Sequence, residues 1–260
     1  MKKLLILIIF FAFSATSFGQ KITIDSSFGE NGIQYFEDTL NLFYPVIEKD
    51  YKNRILILSL NVNNNFVDTT YSLYRYLETG QKDESFGTNG KKLIYINRDN
   101  FLQFQILPDN KIIMLELENS VDYGCQYIYK GPITIKRLFE NGDIDTTYGD
   151  AGTLKIDLDS TIISHVNLTI QSDSMSLVYI DFITCAGSWT HPEPSNGAYI
   201  FRINSSGKID SAYGTNGYIK LDSIGFSNYC GVKTAISNDN NIVLSSCYWN
   251  EEDIFSNILT

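Results

Sequence analysis

The sequence predicts an all-β protein: a β-propeller-like array of four-stranded antiparallel blades, about four repeat units in all, incomplete at its C-terminus. Three observations predict it. A phrase of the form D-x-x-[F/Y]-G-x-x-G recurs four times at a long, nearly constant spacing. Between the copies lie short runs rich in Tyr, Phe, Ile, Val and Thr, broken by Gly, Asn and Asp, which is the chemistry of strands and turns. Beyond the N-terminus no window sustains a helical period.

In chain order, Met1-Lys2-Lys3 opens with positive charge, Leu4 to Phe13 is apolar, and Ser17 and Gly19 occupy the −3 and −1 positions before Gln20. This predicts a secretory signal peptide over 1–19, cleaved to leave a repeat domain over 20–260. The apolar stretch is too short for a membrane span, so no span is expected after cleavage. No Cys stands at the cleavage point, which argues against a lipid-modified start.

The four copies occupy 25–32, 83–90, 145–152 and 210–217. Asp25, Phe28, Gly29 and Gly32 of the first return as Asp83, Phe86, Gly87 and Gly90, as Asp145, Tyr148, Gly149 and Gly152, and as Asp210, Tyr213, Gly214 and Gly217. The aspartates step by 58, 62 and 65 residues. Three copies carry an upstream arm: Arg75, Arg137 and Arg202 lie eight residues before the Asp, and Gly80, Gly142 and Gly207 lie three before it.

Each position has a structural reading. The Asp suits an Asx turn that caps nearby backbone N–H groups. The aromatic buries a large area between units. The glycines supply positive φ. Asn141-Gly142 is a type I′ hairpin signal. Arg and Asp flank that turn, so ion pairs Arg75–Asp83, Arg137–Asp145 and Arg202–Asp210 are expected across it. The alternative, a repeated anion- or metal-binding site, is disfavoured because residues shared by every unit serve the scaffold every unit shares. On this reading the phrase is a joint between successive blades.

Strands are expected over 33–36, 42–47, 54–60 and 71–77 in unit one; 91–96, 101–107, 112–117 and 133–138 in unit two, with a turn at Pro108-Asp109-Asn110-Lys111. Unit three has 153–158, 165–170, 177–183 and 198–203; unit four has 218–221, 231–236 and 242–246. Ile258-Leu259-Thr260 aligns with Tyr199-Ile200-Phe201, so the chain is expected to stop inside a strand of a longer repeat protein.

The formal charge is −10, and removing Lys2 and Lys3 takes it to −12. An acidic surface excludes nucleic acid as a natural partner. The four cysteines are Cys125, Cys185, Cys230 and Cys247. Cys230 and Cys247 flank the turn at 238–241 at nearly equal distance and are the expected disulfide; Cys125 and Cys185 are either a second pair or buried thiols. There is no C-x-x-C, and no zincin, nucleophile-elbow, Walker or dinucleotide pattern. Of two histidines, His165 lies in a strand, whereas His191 sits with Trp189 and Glu193 in a Pro-containing insertion that forms the candidate binding loop. Asp and Asn at turns permit calcium, but EF-hand spacing is absent, so no cofactor is expected.

Asp-x-Ser-Phe-Gly-x-Asn-Gly, with Pro-Asp-Asn-Lys-Ile at 108–112 and Arg-Leu-x-x-Asn-Gly at 137–142, resembles the delta-60 repeat family over essentially all of 20–260. The departures are Thr147-Tyr148 and Ala212-Tyr213 for Ser-Phe, Ala151 for Asn, and degraded turns at Ser172-Asp173-Ser174 and Asn238-Asp239-Asn240. The resemblance implies a secreted or surface bacterial protein with a β-propeller-like fold, and it carries no established catalytic residues. The expectation is a non-catalytic scaffold that binds a protein or glycan. The alternatives are a glycan-active hydrolase or lyase, or a structural spacer within a longer surface protein.

Overall fold

The structure, a computed structural model, describes residues 23–35, 41–62, 69–94, 101–117, 120–122, 127–129, 131–158, 162–182, 197–222, 233–237, 239, 241–249 and 254–259. Residues 1–19, where a signal peptide is expected, lie outside them. The chain divides into two compact units, Met1–Tyr35 and Phe36–Thr260. The first contains the copy at 25–32. The second contains β1 (Asn41–Lys49), β2 (Ile55–Val62), β3 (Thr69–Tyr76), β4 (Lys91–Ile94), β5 (Phe101–Ile106), β6 (Ile112–Leu117), β7 (Ser120–Asp122), β8 (Tyr127–Tyr129) and β9 (Ile133–Leu138). It continues with β10 (Thr153–Ile156), β11 (Ile163–Ile170), β12 (Ser176–Phe182), β13 (Gly197–Ile203), β14 (Tyr218–Asp222), β15 (Lys233–Ile236), β16 (Ile242–Trp249) and β17 (Ile254–Leu259). Among the described residues there is no helix.

The strands form four antiparallel sheets: β1-β2-β3-β4, β5-β6-β9-β10, β7-β8-β11-β12-β13-β14 and β15-β16-β17. Strands β1, β5, β11 and β15 of successive sheets adjoin. Gln105 of β5 donates to Glu48 of β1 at 2.6 Å, the Leu168 amide of β11 donates to Gln103 of β5 at 3.0 Å, and Thr234 of β15 donates to Asn167 of β11 at 2.6 Å. The glutamine at 103 thereby satisfies an edge N–H that would otherwise invite strand addition.

Apolar layers fill the space between sheets. Leu56, Leu58, Leu73 and Phe86 meet Phe104, Ile112 and Met114 between the first and second. Ile113, Leu115, Ile133, Ile135 and Tyr148 meet Val166, Val178 and Ile180 between the second and third. Leu177, Tyr179 and Ile200 meet Leu244 between the third and fourth. The second sheet is covered on both sides, and its central strand Ile-Ile-Met-Leu-Glu-Leu is buried at every residue. This explains why that strand reads as a continuous apolar run rather than an alternating one. Each fully buried aromatic contributes roughly 2–3 kcal/mol by area.

Four features differ from the sequence reading. First, the repeat frame and the sheet frame are offset by one strand. Lys91–Ile94 was expected to open the second unit, but β4 pairs with β3, Tyr71 facing Ile94. Likewise β10 pairs with β9 and β14 with β13. The joint reverses the chain, and a backbone bond from Arg75 N–H to Gly90 O at 3.1 Å folds the next strand onto the arginine strand. Second, the hairpin β7–β8 between β6 and β9 breaks the four-strand rule, and Tyr129 bridges to Ile163 of the third sheet.

Third, Asn141-Gly142 is not a type I′ turn. Gly142 has φ +87° while Asn141 is not at positive φ, and Phe139 N–H bonds Asp143 O at 2.7 Å. This is a three-residue loop with a left-handed residue at its end, the G1-bulge form. The same closure recurs at Asn53, Gly80, Asn110, Ser174 and Gly207, so the degraded turn at 172–174 keeps its geometry. Fourth, Leu244 pairs with Leu259 as Val178 pairs with Phe201, so Leu259 rather than Thr260 takes the Phe201 place.

Candidate functional site

The recurrent constellation is the joint. Its local fold is an Asx turn organised by the Asp. In the copy at 25–32, Asp25 Oδ1 accepts the Ser27 amide at 3.0 Å and the Ser27 hydroxyl at 2.6 Å, and Gly32 N–H bonds Phe28 O at 2.8 Å. The other three copies repeat this Asx turn on Asp83, Asp145 and Asp210. The chain then passes through left-handed backbone at the first glycine, the second x residue after it and the last glycine: φ is +58°, +47° and +94° at Gly149, Ala151 and Gly152. Ala151 holds a conformation that Asn adopts more readily at positions 31, 89 and 216. Ala151→Asn is therefore expected to raise stability by up to about 1 kcal/mol, read from thermal or urea midpoints.

The second carboxylate oxygen takes the arginine. Arg75 Nε donates to Asp83 Oδ2 at 2.8 Å, Arg137 Nε to Asp145 Oδ2 at 2.8 Å, and Arg202 Nε to Asp210 Oδ2 at 2.7 Å. Each guanidinium lies over the aromatic of its own joint, 4.6 Å from Phe86, 4.7 Å from Tyr148 and 4.6 Å from Tyr213. Cap, cation and ring thus form one stack, with a further bond from Arg Nη2 to Ser85 or Thr147.

The first two of these stacks receive the turn of the following sheet. Arg75 Nη1 donates to the Glu140 carbonyl and Arg137 Nη1 to the Ser205 carbonyl. Gly87 N–H donates to Asn141 O at 3.3 Å and Gly149 N–H to Ser206 O at 2.9 Å. The incoming glycine lies on the ring: a Cβ on Gly142 would stand 3.0 Å from Phe86, and one on Gly207 would stand 2.8 Å from Tyr148. In these two copies the phrase therefore lies within one sheet in sequence, between its third and fourth strands, and joins two sheets in space.

Sequence reasoning missed a second cation. Arg54 Nη1 is 3.9 Å from Asp83 and Lys111 Nζ is 3.2 Å from Asp145. Both directly follow the left-handed residue of a hairpin turn, Asn53 and Asn110, and Met175 fills that place in the third sheet. Around the first joint the network widens, with Lys52 and Arg54 each 2.7 Å from Glu140, and Lys92 2.9 Å from Asp143.

Electrostatics follow the geometry. Burial acts to raise the Asp145 carboxyl, but the Thr147 hydroxyl and amide, Lys111 and Arg137 outweigh it and hold it at about 2. The same balance, with Ser85 and Arg75, lowers Asp83. Glu48 moves the other way: desolvation raises it against the hydrogen bond from Gln105. Tyr148 is raised by burial. Its hydroxyl has no hydrogen-bond partner among the described residues, and Phe86 fills the equivalent place. Tyr148→Phe is expected to leave stability unchanged or raise it by about 1–2 kcal/mol, since an unsatisfied buried hydroxyl is removed. Loss of stability in urea unfolding would reveal a partner for that hydroxyl.

Trp189, His191 and Glu193, and Cys125, Cys185 and Cys230, lie outside the described residues. Cys247 is in β16, opposite Ser256. His165 is in β11, opposite Asp181. Asp109 and Asp173 cap turns, accepting the amides of Lys111 at 3.2 Å and Met175 at 3.0 Å. Among the described residues no cluster of His, Cys, Asp or Glu is arranged to hold a metal, and no helix is long and apolar enough to cross a membrane. Neither a family model nor a curated protein matches the chain.

Proposed function

We propose that this protein is an exported, non-catalytic repeat scaffold of the delta-60 type, which presents loops for binding a protein or a glycan. The observation that supports this most directly is the fate of the repeated polar residues. Arg75, Asp83, Arg137 and Asp145 are buried, paired to one another and engaged with the neighbouring sheet. Their carboxyls are lowered rather than raised, the opposite of what a general acid needs at neutral pH. The chemistry that the chain repeats is thus committed to holding sheets together, and recognition falls to the connections between strands.

The test has two parts. N-terminal sequencing of the protein recovered from the culture medium or cell surface of its host should begin at Gln20. An array of bacterial surface and host glycans, together with cell-surface proteins, should give saturable binding without product formation, and Trp189→Ala should weaken it by at least about tenfold. A start at Met1 would overturn export, and turnover of any bound glycan would overturn the non-catalytic reading.

A further inference from the structure

Four Asn-Gly pairs lie within the described residues: Asn31-Gly32, Asn89-Gly90, Asn141-Gly142 and Asn216-Gly217. In such a pair the glycine nitrogen can attack the asparagine side-chain amide, because glycine carries no side chain to obstruct the approach. The attack is held back when that N–H, or the carboxamide itself, is engaged in a hydrogen bond. Three of the four pairs are held. The Gly32 amide bonds the Phe28 carbonyl at 2.8 Å, the Gly142 amide the Phe139 carbonyl at 2.9 Å, and the Gly217 amide the Tyr213 carbonyl at 2.9 Å. Asn141 is held twice, since its carboxamide donates to Asp143 Oδ2 at 2.9 Å and accepts the Asp143 amide at 3.1 Å. Asn89-Gly90 is different. The Gly90 amide makes no bond to the Phe86 carbonyl, and the exposed Asn89 carboxamide has no partner among the described residues. Backbone angle does not separate the copies, for φ is +54°, +51° and +55° at Asn31, Asn89 and Asn216.

The cover over the glycine differs as well. A Cβ on the last glycine of the joint would meet Ile24 at Gly32, Ile144 at Gly152 and Ile209 at Gly217. At Gly90 it would meet the stem of Lys82, an exposed residue. This copy alone therefore brings a cation to the glycine, and a nearby positive charge favours the ionised nitrogen that the attack requires.

We propose that Asn89 is a site of spontaneous deamidation, converted in place to aspartate and isoaspartate. The Gly90 nitrogen forms a bond to Asn89 Cγ, the Cγ–Nδ2 bond breaks, and ammonia leaves with the glycine proton. Water then opens the succinimide. Opening at Cγ gives aspartate, and opening at the backbone carbonyl gives isoaspartate, whose chain runs through the former side chain. Either product places a negative charge near Lys82. Isoaspartate also inserts a methylene just before Gly90, whose carbonyl accepts the Arg75 amide at 3.1 Å where β4 begins to pair with β3. The site does not rest on the scaffold reading.

The test is incubation of the full chain at mildly alkaline pH in water enriched in heavy oxygen, with peptide mapping by mass spectrometry at intervals. The Asn89 peptide should take up heavy oxygen at least about fivefold faster than those containing Asn31, Asn141 and Asn216, the factor that one hydrogen bond of ordinary net strength is worth. Its rate should rise with hydroxide concentration. In strong urea every pair is released, and the four rates should converge. Lys82→Ile, at an exposed position, should slow conversion at Asn89 in the folded chain. Equal rates at the four sites in the folded chain, or a lead at Asn89 that persists undiminished in urea, would overturn the proposal. An unslowed Lys82→Ile variant would overturn the assistance by Lys82.

Discussion

Asp145→Ala is expected to remove about 3–5 kcal/mol of folding free energy, because it leaves a buried guanidinium without its counter-charge. Asp145 is fully buried and accepts from Arg137, Lys111 and Thr147 at once. Asp210→Ala removes the same chemistry from a pair that is only partly buried, with side chains 26% and 18% exposed, and should cost clearly less. The contrast separates the role of burial from that of the motif. pH dependence follows with a definite sign. The Asp145 carboxyl is held at about 2 in the folded protein, below its ordinary value near 3.9 in an unfolded chain. Its contribution is therefore complete above about pH 4 and is lost as pH falls toward about 2, with Asp83 acting in the same direction. Urea midpoints at pH 7, 4 and 3 should fall along an acid limb that is shallower in Asp145→Ala. An identical limb in the variant would show that Asp145 is not the group responsible.

Gly207→Ala is the second large effect, at roughly 3–5 kcal/mol, from left-handed strain and overpacking together. The backbone there has φ +77°, and the added methyl would stand 2.4 Å from the Gly149 nitrogen and 2.8 Å from the Tyr148 ring. It would also break the bond from Gly149 N–H to the Ser206 carbonyl, because the turn would have to retreat. Gly142→Ala has similar backbone strain, but its methyl meets only the edge of Phe86, at 3.0 and 3.1 Å. It should cost measurably less. Equilibrium unfolding of the two variants side by side tests the order, and equal costs would mean that the close approach at the third sheet does not contribute.

The joint was legible in the sequence because its parts are close in the chain. An Asx turn spans three residues, and an arginine eight residues upstream of the Asp is carried back to it by one hairpin, so fixed offsets betray the contact. The second cation left no such trace. Arg54 lies 29 residues before Asp83 and Lys111 lies 34 before Asp145. Two of the sheets place a cation there, and the third has Met175. The hairpin at β7–β8 was missed because its two strands of three residues are too short to show a period.

What the sequence determined by itself is the class and the module: β-strands joined by left-handed turns, and an Arg–Asp–aromatic stack written at fixed spacing. These are set by local dihedral preference and short-range hydrogen bonds, which composition and offsets record. Only the tertiary structure decided which strands share a sheet and which turn closes each joint. The strand after the phrase folds back onto the strand before it, and the glycine that rests on Tyr148 comes from 59 residues further along the chain. That choice is made by apolar layers between sheets and by two carbonyls finding a guanidinium and an amide, contacts whose partners carry no common spacing in the sequence.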